Sequence, residues 1–134
     1  MTPSESRLMD PHASALAIGI GRVAIGTAFA ALPELGVRLL GTDAATARRV
    51  GWLSRMVAGR DIALGAGTIA ATRNGNGAGW VLGGAFADAV DSAAVVMAMK
   101  QGRLRGPGAW LIAVGGPALT VLGLFQAGRL RRRA

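Results

Sequence analysis

The sequence predicts an all-α fold, a four-transmembrane-helix bundle running up-down-up-down. Three observations predict it. The chain is 51% hydrophobic and only 16% charged, with a mean hydropathy of +0.42, a balance that suits a bilayer better than water. Four apolar runs, 13–32, 50–72, 79–99 and 108–128, each reach the roughly 20 residues that a spanning helix needs. The 21 glycines among 134 residues are about twice the usual share of roughly 7%. They recur with alanine at four-residue spacing, in Gly79, Gly83 and Ala87 and in Ala63, Gly67 and Ala71, as close helix contact in lipid requires. The chain therefore divides into a flexible N-terminal tail (1–12), a transmembrane domain (13–128) and a basic C-terminal tail (129–134).

Each element has a local reason. Residues 1–12 are polar and carry Pro3 and Pro11, which marks a frayed end. The first run holds Arg22 in its middle, and Glu5 and Asp10 stand beside Arg7 ahead of it. It reads as a retained helix and not as a cleaved signal. Pro33, which lacks an N–H donor, ends it. Residues 34–40 form a short amphipathic piece suited to the interface, broken by Gly41. Thr42 and Asp43 offer an N-cap for the second helix. Asn74, Gly75, Asn76 and Gly77 make a tight connection, so helices two and three are antiparallel neighbours. Trp80 and Trp110 take interfacial positions. The last run contains Gly115, Gly116 and Pro117, a kink signal, and has no charge before Arg129.

The net charge of +8 and a pI near 11.9 would ordinarily suggest nucleic acid. Six charges, however, lie inside the apolar runs: Arg22, Arg55, Arg60, Asp61, Asp88 and Asp91. They sum to zero, which leaves the whole excess in loops and tails, where anionic lipid headgroups are the fitting partner. Aromatic residues are only 4%, there is no Tyr, and no nucleic-acid-binding motif occurs. The absence of Cys excludes disulfides and thiolate metal sites. His12 is the only histidine, no Ser, His and Asp set is present, and arginines adjoin the acids, so neither a nucleophilic triad, a metal site nor a cofactor is expected. Basic residues divide evenly between the two ends of the bundle. The arginine run 129–133 favours both termini in the cytoplasm of a multi-pass cell-membrane protein, with dual insertion and a homo-oligomer left open.

Ionisable residues in a spanning segment are expensive and point to a functional site. At 1.5 Å per residue, Arg22, Arg60, Asp88 and Asp91 lie about 14–18 Å into their runs and meet near the midplane, whereas Arg55 lies near an end and can snorkel. Asp88, Asp91 and Gly84 share one stripe of the third helix. The facing directions bring Arg60 to Asp88 and Asp91, and Asp61 to Arg22, with Gly19 and Gly26 leaving room beside Arg22. Asp88, Asp91 and Asp61 are thus the candidate proton acceptors and donors, and Arg60, Arg22 and Gly84 the candidate substrate contacts.

Gly21 with Arg22, the run Gly59, Arg60 and Asp61, and the acids of 87–91 give the chain a layout that resembles small four-span bacterial membrane proteins of the broad DoxX-like type. The resemblance implies architecture more than mechanism. The small multidrug resistance transporters are similar in size and span count, but helix one here carries Arg22 where they have a membrane glutamate. Two functions follow from the residues. One is binding or passage of a small polar or protonable solute at a buried Arg/Asp site. The other is acid-base catalysis, of isomerase, cyclase or epoxide-opening type, on a lipophilic substrate. A non-catalytic subunit of a membrane assembly is the third alternative.

Overall fold

A computed structural model describes residues 10–132. Among these residues the chain forms five helices: α1 (Pro11–Ala31), α2 (Pro33–Leu39), α3 (Ala44–Arg73), α4 (Ala78–Lys100) and α5 (Pro107–Arg131). The all-α expectation holds, but the four-helix transmembrane bundle is corrected. Three helices, α1, α4 and α5, are long and apolar enough to cross a membrane. The run 50–72 instead lies within α3, a 30-residue helix that also carries Arg48, Arg49 and Arg73. No stretch of α3 long enough to cross holds fewer than three charged side chains, and each charge in hydrocarbon carries a solvation penalty. The fifth helix is the short α2, seated where the amphipathic piece was expected.

Helix ends follow local chemistry. Asp10 accepts the His12 N–H at 3.3 Å and caps α1, with Pro11 in its first turn. The expected tail therefore gives way to helix at Pro11, and residues 1–9 lie outside the described residues. Asp43 caps α3 through the N–H groups of Ala45 at 2.8 Å and Thr46 at 3.0 Å. The Thr46 hydroxyl donates to the other carboxylate oxygen at 2.7 Å. These bonds, the hydroxyl's first, lower the Asp43 pKa from 3.8 to about 2. Gly41, Gly75 and Gly102 adopt positive φ in the three turns, a conformation glycine enters without steric cost. α5 continues through Pro117 to Arg131, so it takes in the start of the expected basic tail. Residues 133 and 134 lie outside the described residues.

The interior is built from small residues. Ala15, Ala47, Ala58, Ala85, Ala109 and Ala127 are buried, whereas Leu111 and Phe86 are 73% and 70% exposed. Trp52, Trp110, Val114, Val121 and Phe125 also face outward. Water would drive the large apolar groups inward; lipid exerts no such force and rewards close backbone packing. The three apolar helices and this inverted distribution fit a multi-pass membrane protein.

Two antiparallel pairs organise the fold. In the first, α1 lies along α3: a Cβ on Gly19 would come within 2.9 Å of the Gly65 carbonyl oxygen, and one on Gly26 within 2.8 Å of that of Ala58. In the second, α4 lies along α5, where a Cβ on Gly123 would come within 2.8 Å of the Ala85 Cβ. The Thr120 hydroxyl also reaches the Ala85 carbonyl at 3.3 Å. The pairs are stitched at both ends. Gln126, itself buried, donates to the Pro11 carbonyl, and the Gly106 N–H donates to Leu40 at 3.0 Å. Between the pairs, ion pairs at mid-length accompany the packing of Trp80 on Gly67 and an apolar cluster of Ala15, Val81, Ala127 and Leu130.

Candidate functional site

Arg22 leaves α1 at mid-helix and crosses to α4. Its path is open because position 84 has no side chain: a Cβ there would lie 2.9 Å from the Arg22 Nε. One terminal nitrogen donates to the Gly84 carbonyl at 2.9 Å and also to Asp88 Oδ2. The other reaches Asp61 Oδ1 on α3 at 3.4 Å. Arg22 thus joins three helices.

Arg60, on α3, grips Asp91 on α4 end-on through its two terminal nitrogens, with nitrogen–oxygen distances of 2.9 and 2.6 Å. This two-point geometry is the strong form of a guanidinium–carboxylate pair. It also donates to Asp61 Oδ1 at 3.2 Å. The result is one chain of alternating charge: Asp88, Arg22, Asp61, Arg60, Asp91.

The expectation of a buried site is corrected. None of these five is among the fully buried residues. The Arg22, Asp61 and Asp88 side chains keep 13–16% exposure and the Arg60–Asp91 pair about a third. The five side chains meet where α1, α3 and α4 adjoin, and that junction leaves each of them partly open. The Nε of Arg60 is covered and makes no hydrogen bond.

All six sequence-derived site residues, Asp61, Asp88, Asp91, Arg22, Arg60 and Gly84, come together here. The pairing differs in detail from the facing directions, because Asp88 turns to Arg22 and not to Arg60. Asp61 meets both arginines, although residues 60 and 61 diverge by about 100° on the helix, because a long guanidinium stem can fold back across that angle. Arg55 is exposed and joins none of the four ion pairs. Gly19 and Gly26 make room for the α3 backbone and not for Arg22.

Ser92 was not singled out from sequence. Its hydroxyl lies 2.6 Å from the Asp88 carbonyl and 3.2 Å from that of Ile112, tying the acid-bearing turn of α4 to α5. The available signal was a hydroxyl four residues after Asp88 in an apolar run, the spacing of a side chain that bonds back to its own helix.

Two apolar grooves run between α4 and α5. One of about 630 Å³ is bordered by Leu82, Phe86, Ala89, Thr120 and Leu124, and one of about 420 Å³ by Ala89, Ser92, Val96, Pro117 and Val121. The five charged residues line neither. Fold and composition define a class, a small helical protein suited to a multi-pass membrane setting. Comparison with family models, curated proteins and solved structures finds no match to this chain.

Proposed function

We propose that this is a membrane protein whose Arg/Asp chain binds, and passes, a small polar or protonable solute at the seam between its two helix pairs. The observation that carries this reading is the set of four ion pairs linking α1, α3 and α4. Arg22 stands about 17 Å along α1 and Asp88 about 15 Å along α4, near the middle of a hydrocarbon core roughly 30 Å thick. Desolvating ions costs several kcal/mol each, and apolar packing of the same volume is commonly as stable. A charge chain at that depth therefore suits a ligand better than it suits stability.

The acids also sit between units and not within one. Across the seam the ion pairs at mid-length stand beside an apolar cluster of Ala15, Val81, Ala127 and Leu130 and the packing of Trp80 on Gly67. Secondary transporters commonly hold their solute near the bilayer midplane, where two helical units meet. The catalytic alternative calls for a lipid-open cavity containing the acids. Neither groove between α4 and α5 is lined by them.

Proton uptake driven by added solute, measured in liposomes carrying the purified protein, tests the proposal. Uptake present with the native chain and lost in Asp88→Asn is the expected result; flux indifferent to that substitution would contradict it.

A further inference from the structure

We infer that an outward stripe of α3 headed by Arg48, Trp52 and Arg55 seats an anionic phospholipid, its phosphate between the two guanidinium groups and an acyl chain along the helix below them. The inference rests on the membrane placement of the Arg/Asp chain and not on the solute. Asp61 pairs with Arg22 at the level of the seam. At 1.5 Å per residue, Arg55, Trp52 and Arg48 stand about 9, 13 and 19 Å from that level, toward the α2 end. Half of the hydrocarbon core is roughly 15 Å. Arg55 is therefore inside the apolar layer, Trp52 near its boundary and Arg48 among the headgroups.

The three side chains share a face. Positions 48, 52 and 55 are four and three residues apart and project within about 60° of one another. All three are exposed, Trp52 by 57%. Neither arginine joins any of the four ion pairs, and the positions three and four residues from Arg55 are Gly51, Trp52, Ala58 and Gly59, none of them acidic. The acids of this end are engaged or elsewhere: Asp43 is held by its cap, and Glu34 lies on α2 against Gly51, outside the four ion pairs. A cation in hydrocarbon is costly without a partner. A long stem lets Arg55 climb toward the interface, where Arg48 stands on the same stripe about 10 Å along the axis. A phosphate at the level of Trp52 meets both, and the guanidinium fork matches it at two points.

The same stripe identifies the anion as part of a lipid. Below Arg55 it continues as Gly59 and Ala63, both exposed, and a Cβ built on Gly59 has nothing within 4 Å. Such small residues leave a shallow track from the phosphate level to the midplane, which an acyl chain fills. A zwitterionic headgroup would bring an ammonium group that two guanidinium groups repel, so a headgroup of net negative charge is the better fit.

Phospholipids with brominated chains quench a tryptophan that they touch. The full-length protein and Trp52→Phe, each in phosphatidylcholine nanodiscs with a rising share of brominated phosphatidylglycerol or brominated phosphatidylcholine, give the quenching of Trp52 by difference. Half-quenching is expected at a share of phosphatidylglycerol about fivefold or more below that of phosphatidylcholine. Arg55→Gln and Arg48→Gln should each reduce this preference about fivefold, the worth of one arginine near anionic lipid. Arg73→Gln, which removes an exposed charge at the other end of α3, should keep it. Equal quenching by the two lipids in the native chain would overturn the inference and leave the membrane placement standing, with no variant needed. A preference that survives both Gln variants, or falls equally in Arg73→Gln, would also overturn it. So would a preference abolished by glycerol phosphate in the buffer, the mark of a site for free phosphate. Trp52 quenched by neither lipid would contradict both the inference and the placement of α3 in the membrane.

Discussion

Gly84 is the residue on which the Arg22 crossing depends. A methyl group there would come within 2.9 Å of the Arg22 Nε and 3.1 Å of its Cζ, and the guanidinium is held by three partners and cannot simply swing aside. Gly84→Ala should cost about 1–3 kcal/mol, the usual range for overpacking, seen as a lower unfolding midpoint in detergent. Arg22→Gln should be more severe, roughly 3–5 kcal/mol, because it strands Asp88 without its cation. Neutralising both, in Arg22→Leu with Asp88→Leu, should cost less than the single change, and a double-mutant cycle measures the difference. Asp43 provides a pH-dependent counterpart outside the apolar helices. Its folded value of about 2 lies below the ordinary 3.8, so the cap's contribution is complete above 3.8 and fades as pH falls toward 2. The stability gap between the native chain and Asp43→Ala should therefore close over that interval when unfolding is followed by circular dichroism.

At the scale of elements, glycines divide into those that let helices touch and those that face outward. Gly65 lies against the Gly19 carbonyl and Val23, while Gly21, Gly59 and Gly115 have nothing within 4 Å of a built Cβ. Gly65→Ala should separate α1 from α3 and destabilise the protein by about 1–3 kcal/mol. Gly59→Ala should be neutral or stabilising by roughly 0.5–1 kcal/mol, since alanine loses less backbone freedom in a helix. Thermal unfolding of the two variants side by side checks the contrast. Much of this level was legible beforehand. Pro33, Asp43 and the run 74–77 mark helix boundaries by chemistry that acts within a few residues, and the helices end or begin there. The short α2 followed from the same logic.

The whole molecule was less legible, for reasons that lie in interactions between elements. Run length and hydropathy counted α3 with the other spans, but its apolar stretch is only part of a 30-residue helix that brings further arginines with it. Spacing along each helix placed Arg60 beside Asp91 and Asp61 beside Arg22. It also set Asp88 against Arg60, whereas the partner is Arg22, decided by the gap that Gly84 leaves and by the reach of Arg22 across the seam. Ser92 escaped notice because its second contact, the Ile112 carbonyl, lies on a helix twenty residues away. Periodicity reports which way a side chain points; the distance between neighbouring helices decides what it meets. The central claim is that the ion-pair seam lies at the depth of the membrane interior. Spin labels at the outward-facing positions Phe86, Val90 and Met97 of α4, read for oxygen against nickel-chelate accessibility in liposomes, test it most directly. Oxygen accessibility should peak at 86 and 90, level with Asp88, and fall toward 97; water-like accessibility at all three positions would contradict it.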